Sequence, residues 1–272
     1  HILSGVIQNE WKARKWSFLL GGRFDHHNMV DHVIFSPRIN LRYNPTEQIN
    51  LRLNYAGGFR APQTFDEDLH IALVGGERVV TQLAPDLREE RSNSLSASID
   101  LYRSFGSVET NLLVEGFYTA LDHIFATRYL PEPNEKGETV LERYNGGGAT
   151  VAGVNVEAKA AFSRWFDLQA GITWQHSRYE HAQHWSDDAP DERRMFRSPD
   201  WYGYLTANFV PVQRFDISLS GTYTGEMLVQ HAAGSGTPVD VAVTTPDFFA
   251  LNVKLAYEFP ILRTLTLQLN AG

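Results

Sequence analysis

Along most of the chain apolar and polar residues alternate with period two, the pattern of strands whose successive side chains face opposite sides of a sheet. From Phe249, the set Phe249, Leu251, Val253, Leu255, Tyr257 and Phe259 is interleaved with Ala250, Asn252, Lys254, Ala256 and Glu258. The runs Phe215–Tyr223, Leu95–Leu101, Ile49–Tyr55 and Leu265–Leu269 repeat it. Read throughout, the pattern predicts about twelve strands, over residues 4–13, 15–25, 33–44, 47–58, 90–104, 107–129, 139–162, 166–180, 197–210, 215–229, 245–259 and 263–272. Helical periodicity is scarce.

The connections alternate between tight and long. "ARK", "NPTE", "SFG", "FSRW", "PVQR" and "PILR" are short, while "DHHNMVD", the segment from "GFRAPQ" to "DLREE", "LPEPNEKG", 180–197 and 230–245 are long. Neighbouring strands are therefore antiparallel, with the short turns at one end and the long loops at the other, as in outer-membrane barrels. Charges at Arg38, Arg42, Arg52, Asp100, Glu109, Glu115, Glu157, Lys159 and Lys254 fall in phase with the polar set. In a dry core such charges are costly, whereas against a wet lumen they are cheap. Trp11, Trp16, Tyr43, Phe162, Trp165, Phe166 and Phe259 cluster beside the short turns, where an interfacial girdle lies. The runs 107–129 and 139–162 exceed the ~3 to 10 residues of soluble strands and are expected to project above a membrane.

Composition narrows the function classes. Lys plus Arg number 24 against 32 Asp plus Glu, a net charge of -8 with no basic face, which disfavours nucleic acid. Cys is absent, so disulfides, thiolate metal sites and a Cys nucleophile are excluded. No run approaches the ~18 apolar residues of a transmembrane helix, but a barrel strand needs only ~9 to 11 with every second one apolar. The mean hydropathy of -0.30 is compatible with that. The start, "HILSGVIQNEWKARKW", has no initiating Met, no basic n-region with an apolar core and no small-residue cleavage site, as expected if a presequence is already gone or the sequence begins partway through a protein.

One stretch, "NYAGGFRAPQTFDED" from Asn54, breaks a strand into Gly57-Gly58 and then Arg60-Ala61-Pro62. The glycines suit a bend or a close backbone approach, and Pro62 ends the ladder. With "LAPDLREERSNSLSASIDL", "FSPRINLRYNPTEQINLRLNY" and "RYNGGGATVAGVNVEAKAAF", it resembles the TonB-dependent outer-membrane receptors of Gram-negative bacteria. It departs from the family pattern at Ala84-Pro85, where Asn-Pro is usual, and at Arg88-Glu89, where Lys-Pro is usual. The resemblance implies an all-β fold: an antiparallel up-and-down transmembrane β-barrel. Residues 1–272 would supply about twelve strands of a 22-stranded wall and form part of one barrel domain, with the plug domain and the final strand or strands absent. It further implies a receptor that binds a scarce nutrient (metal chelate, haem, cobalamin or oligosaccharide) at extracellular loops and imports it with energy from the inner membrane. The implied partners are outer-membrane lipid, the TonB energy-transducing protein acting through the missing N-terminal part, and the small nutrient ligand. Neither a cofactor nor a catalytic residue is implied.

Histidines collect in the long loops. His26, His27 and His32 share one, His70 lies in the loop after Pro62, His176, His181 and His184 surround another, and His231 begins a fourth. Imidazole suits a metal or a metal chelate, but the spacing fits no standard metal site, and chance enrichment of polar loops accounts for it as well. The expected ligand-contacting set is Arg60, His26, His27, His70, His181, His184 and His231, with no bound structural metal. Arg60 could grip an anionic ligand through bidentate hydrogen bonds, but as part of the family-like signature it is expected first to tie the loop base to the barrel wall. "SDDAPDERR" lacks the glycine turn of a calcium loop, and "NGGGA" at Asn145 is no phosphate loop, its glycines instead letting a long strand bend. Two other readings fit about twelve strands: a self-contained outer-membrane barrel enzyme such as a phospholipase, or a porin-like barrel. The enzyme requires an outward Ser–His pair, and His176 and Ser177, being adjacent, face opposite sides.

Overall fold

The computed structural model describes residues 1–63, 79–231, 233–234, 236–262 and 265–272. Among these there is no helix. Twelve strands follow one another in a single antiparallel path: β1 (Ile2–Ala13), β2 (Trp16–His27), β3 (Val33–Thr46), β4 (Ile49–Arg60), β6 (Glu90–Phe105), β7 (Val108–Asp122), β10 (Ala149–Phe162), β11 (Phe166–Gln183), β13 (Trp201–Val212), β14 (Phe215–Thr224), β17 (Phe248–Leu262) and β18 (Leu265–Ala271). The short β12 (Glu192–Arg194) adds to β11. Two small sheets stand at the long-loop end: β5 (Val79–Leu83), β8 (Phe125–Tyr129) and β9 (Thr139–Asn145) form one, and β15 (Leu228–His231) with β16 (Val241–Thr244) the other. The path does not close, because β1 and β18 pair on one side only.

Register fixes the faces, since residues directly opposite each other share a side. Leu53 pairs with Ala97, Ala97 with Gly116 and Gly116 with Val154, while Arg52 pairs with Ser98, Ser98 with Glu115 and Glu115 with Asn155. One face is therefore apolar and the other polar, without slippage across four strands. The large apolar side chains of the first face, among them Leu20, Leu53, Leu95, Ile172, Leu219 neighbours Leu251 and Val253, and Leu267, stand exposed. The polar face is bound into a network. Tyr204 Oη donates to Glu157 (2.6 Å), Gln169 Nε2 to Tyr204 Oη (2.6 Å) and Thr173 Oγ1 to Asn155 Oδ1 (2.8 Å). Aromatic pairs mark the short-turn end: Trp16 stacks on Tyr43 at 4.2 Å, Phe162 meets Phe166 at 5.4 Å, and Trp165 meets Phe209 edge-on at 5.8 Å.

Several boundaries differ from those the alternation predicts. The run 107–129 is two strands, because the chain turns at His123, whose φ is 56°, and leaves the wall as β8. The run 139–162 is likewise divided at Gly146–Gly148 into β9 and β10. The run 215–229 ends as a wall strand at Thr224, and Leu228 onward pairs with β16 instead. Within the segment read as one long loop after Pro62 lies β5, which runs parallel to β9. The segments beyond each break remain rich in strand-forming residues, Phe125, Tyr129, Val140, Tyr144 and Val229 among them, so composition does not show that the chain has changed sheets. The side chains removed from solvent also lie mainly here: Val30, Ile34, Ala84, Ile124, Val140, Ala149 and Leu228 are buried apolar residues of the long-loop end.

Candidate functional site

The wall widens into the loops around the Gly57-Gly58-Phe59-Arg60 step. A Cβ on Gly57 would stand 2.7 Å from Pro37 Cδ, so the close approach of β3 and β4 requires glycine there. Arg60, the last residue of β4, pairs with Glu90, and its guanidinium lies 3.7 Å from that carboxylate and 5.0 Å above the Phe125 ring. Arg143 of β9 sits over the same ring at 5.6 Å and donates to Gln63 O at 2.7 Å. Arg60 is thus held by the wall and the small sheet, and its exposed part faces a cleft of about 510 Å³.

That cleft brings Arg60 together with His27, Arg23, Asp25 and Gln63. Asp25 is fully buried and accepts from Arg23 Nε (2.8 Å) and Ser4 Oγ (2.5 Å), while its second oxygen has no hydrogen-bond partner. The cleft therefore offers two guanidinium groups, an imidazole and a carboxylate already shared with one of them. Such a lining can hold an anionic or chelating group. His26 is not part of it, since it alternates with His27 and takes the apolar side with Phe24.

The other histidines are dispersed. His184 lies between Asp191 (Nδ1, 3.0 Å) and Asp187 (Nε2, 3.2 Å), and those two contacts, Asp191 first, raise its pKa. His181 lies beside Gly147, and His231 is in the β15–β16 hairpin with Nδ1 3.5 Å from Thr237 Oγ1. His70 lies outside the described residues. Among the described residues no three His, Cys, Asp or Glu side chains gather as a metal ion requires. Ser177 is buried and accepts from Ser198 Oγ (2.9 Å), on the opposite side from His176, so the two do not form a pair.

A second cleft of about 680 Å³ lies between the β2–β3 loop and residues 85–91. His32, outside the set chosen from the sequence, spans it: Nδ1 is 2.9 Å from Asp31, and Nε2 is 3.1 Å from the buried Glu89. Hydrogen bonds to Asp31 and Glu89 raise the His32 pKa. Burial pushes Glu89 up, but the Arg91 hydrogen bond and the other contacts outweigh it, and its pKa is lowered overall.

Asn145 was also missed as a functional residue. Its Oδ1 accepts from Arg88 N–H (2.7 Å), and its Nδ2 donates to Arg88 O (3.1 Å) and His123 O (2.8 Å). It clamps the segment before β6 to the turn after β7, and Arg88 and His123 both line the second cleft. The one available signal was an Asn heading the "NGGGA" turn, but its partner lies 57 residues away.

Residues 4–272 match the family described as TonB dependent receptor-like, beta-barrel. Solved structures share the fold. The siderophore receptor PirA from Acinetobacter baumannii superposes with a TM-score of 0.70 at 15% identity, over 99% of this chain and 41% of that one. The ferric-catecholate import receptor Fiu from K12 E. coli gives 0.65 at 15%, over 99% and 40%. The ferripyoverdine receptor of Pseudomonas aeruginosa gives 0.66 at 12%, over 99% and 34%. The chain thus spans about two fifths of the length of these structures or less. No curated protein sequence matches it.

Proposed function

Since the chain belongs to the TonB-dependent receptor β-barrel family, we propose that it is part of the barrel wall of a Gram-negative outer-membrane receptor that takes up a ferric chelate. In this reading residues 1–272 belong to one barrel domain. Further polypeptide supplies the rest of the wall, the plug and the segment through which TonB transmits energy from the inner membrane. The apolar face meets outer-membrane lipid, and the long loops open to the cell exterior.

The observation that carries the choice of ligand is the Arg60–His27–Arg23 cleft at the loop end of the polar face. Siderophore complexes combine metal-bound oxygen donors with anionic charge, and paired guanidinium groups with an imidazole suit that chemistry. His181, His184 and His231 would contribute from the loops only on ligand-driven closure, and His26 contributes least because it faces the other side. The test is tryptophan quenching or calorimetry on the full-length polypeptide that contains this chain, with ferric catecholate, ferric hydroxamate, haem and cobalamin. Saturable binding of a ferric siderophore, weakened in Arg60→Ala, supports the reading. Binding of haem or cobalamin alone, or binding indifferent to Arg60, contradicts it.

A further inference from the structure

The Arg60–His27–Arg23 cleft holds one acceptor that nothing in the described protein answers. Asp25 is fully buried and lines that cleft. Its Oδ1 accepts from Arg23 Nε at 2.8 Å and from Ser4 Oγ at 2.5 Å, whereas among the described residues Oδ2 has no hydrogen-bond partner. Register explains the gap. On β1 the residue opposite Asp25 is Ser4, whose hydroxyl is already directed at Oδ1, and on β3 it is Ile34, a buried side chain with no donor. Arg23 Nη2 donates to Ser4 Oγ at 3.2 Å instead. A carboxylate oxygen taken out of water and left unpaired is costly, so the site is built for a donor that these strands do not supply. The Arg23 side chain is 51% exposed and can turn outward to admit one.

The other lining groups are donors. His27 Nδ1 accepts from Met29 N–H at 3.2 Å, so in the neutral ring Nε2 carries the proton and is a donor. Arg60 adds the N–H groups of a partly exposed guanidinium. Each guanidinium already faces a carboxylate, Arg23 with Asp25 at 2.8 Å and Arg60 with Glu90 at 3.7 Å, so these pairs leave the cleft without an excess of positive charge. That balance disfavours a multiply anionic tricatecholate complex. Metal-bound hydroxamate oxygens keep anionic character on a complex that is neutral as a whole, and they suit the donors of Arg60 and His27.

We propose that Asp25 is the specificity-determining residue of this cleft: its Oδ2 accepts from an ammonium group carried by the ligand, while Arg60 and His27 donate to oxygen atoms of the chelate. The ligand class is accordingly a ferric hydroxamate with a free amine. This inference rests on the ferric-chelate reading above and narrows it.

The test is calorimetry on the full-length polypeptide that contains this chain, with three ferric complexes. Ferrioxamine B is a trihydroxamate with a pendant ammonium group, its N-acetylated form keeps the iron centre and loses that charge, and ferric enterobactin is a tricatecholate without an amine. Ferrioxamine B is expected to bind about tenfold or more tightly than the acetylated form, the scale of a charged hydrogen bond. Asp25→Asn keeps the shape and the acceptor for Arg23 and Ser4, and should bring the two hydroxamates within about twofold of each other. Arg60→Ala should weaken both alike and leave their ratio unchanged. Equal binding of the two hydroxamates, a preference that survives Asp25→Asn, or binding of ferric enterobactin alone overturns the role of Asp25 and leaves the ferric-chelate reading standing. Binding of none of the three complexes overturns that reading itself. The acetylation comparison uses the unsubstituted protein, so it decides the point even where Asp25→Asn does not fold.

Discussion

Replacing Asn145 with Ala should loosen the loop base while leaving the wall intact. The substitution removes three hydrogen bonds: Arg88 N–H to Oδ1, and Nδ2 to Arg88 O and His123 O, at 2.7, 3.1 and 2.8 Å. Each is worth about 0.5 to 1.5 kcal/mol net. At this partly exposed rim water replaces some of them, so we expect a loss of about 2 kcal/mol for the local opening. That corresponds to roughly a 30-fold larger open population. Amide hydrogen exchange reads it directly, with Arg88 N–H exchanging about 30-fold faster in Asn145→Ala. Asn145→Asp keeps the acceptor and loses both donated bonds, so about tenfold is expected. Val210 N–H, which donates to Trp165 O at 2.8 Å at the short-turn end, is an internal reference that should not change. Arg88 exchange within threefold of the unsubstituted chain in both variants would refute the clamp.

Other substitutions follow from the same geometry. Gly153→Ala places a Cβ 2.3 Å from Trp174 O and 2.7 Å from Phe117 Cζ, and should cost about 1 to 3 kcal/mol or more, read as a lower urea midpoint. Gly116→Ala, with open space at its Cβ, should stay within about 0.5 kcal/mol. The His32–Glu89 contact should depend on pH in two directions. The His32 pKa is raised from 6.5, so its contribution is full below that value and is lost as pH rises through the folded pKa. The Glu89 pKa is lowered from 4.5, so its contribution is present above that value and is lost as pH falls through the folded pKa. Protection of residues 28–32 from proteolysis should therefore be greatest between about pH 4.5 and 6.5, and His32→Gln should abolish the loss on the alkaline side. Arg60→Gln keeps a side chain above Phe125 but loses the Glu90 ion pair, and should increase exchange at Glu90 while leaving β14–β17 unchanged.

The wall was legible because its physics is local. Two unlike faces force alternation on every strand, so β14 and β17 could be read from Phe215–Tyr223 and Phe249–Phe259 alone. The upper layer was not. β8 and β9 are as rich in strand-forming residues as the strands they extend, and the left-handed turn at His123 that takes β8 out of the wall falls on a residue without a turn signature. The parallel pairing of β5 with β9 joins segments some sixty residues apart, which no local pattern encodes. The site shows the same division. Alternation separates His26 from His27, whereas the choice of His27, Arg23 and Arg60 as neighbours depends on registers β1–β2–β3–β4 taken together. Asn145 and His32 act through partners 57 residues distant, and so do not stand out from other polar loop residues.

The account stands most directly on the claim that one face of the sheet meets lipid and the other water. The chain has no cysteine, so single cysteines can be placed in turn along β14 and β17 and spin-labelled in bilayers. Labels at 217, 219, 251 and 253 should be accessible to dissolved oxygen and shielded from a water-soluble nickel chelate, and labels at 218, 220, 252 and 254 the reverse. Accessibility without this period of two, or equal access of the nickel chelate to both sets, would contradict the account.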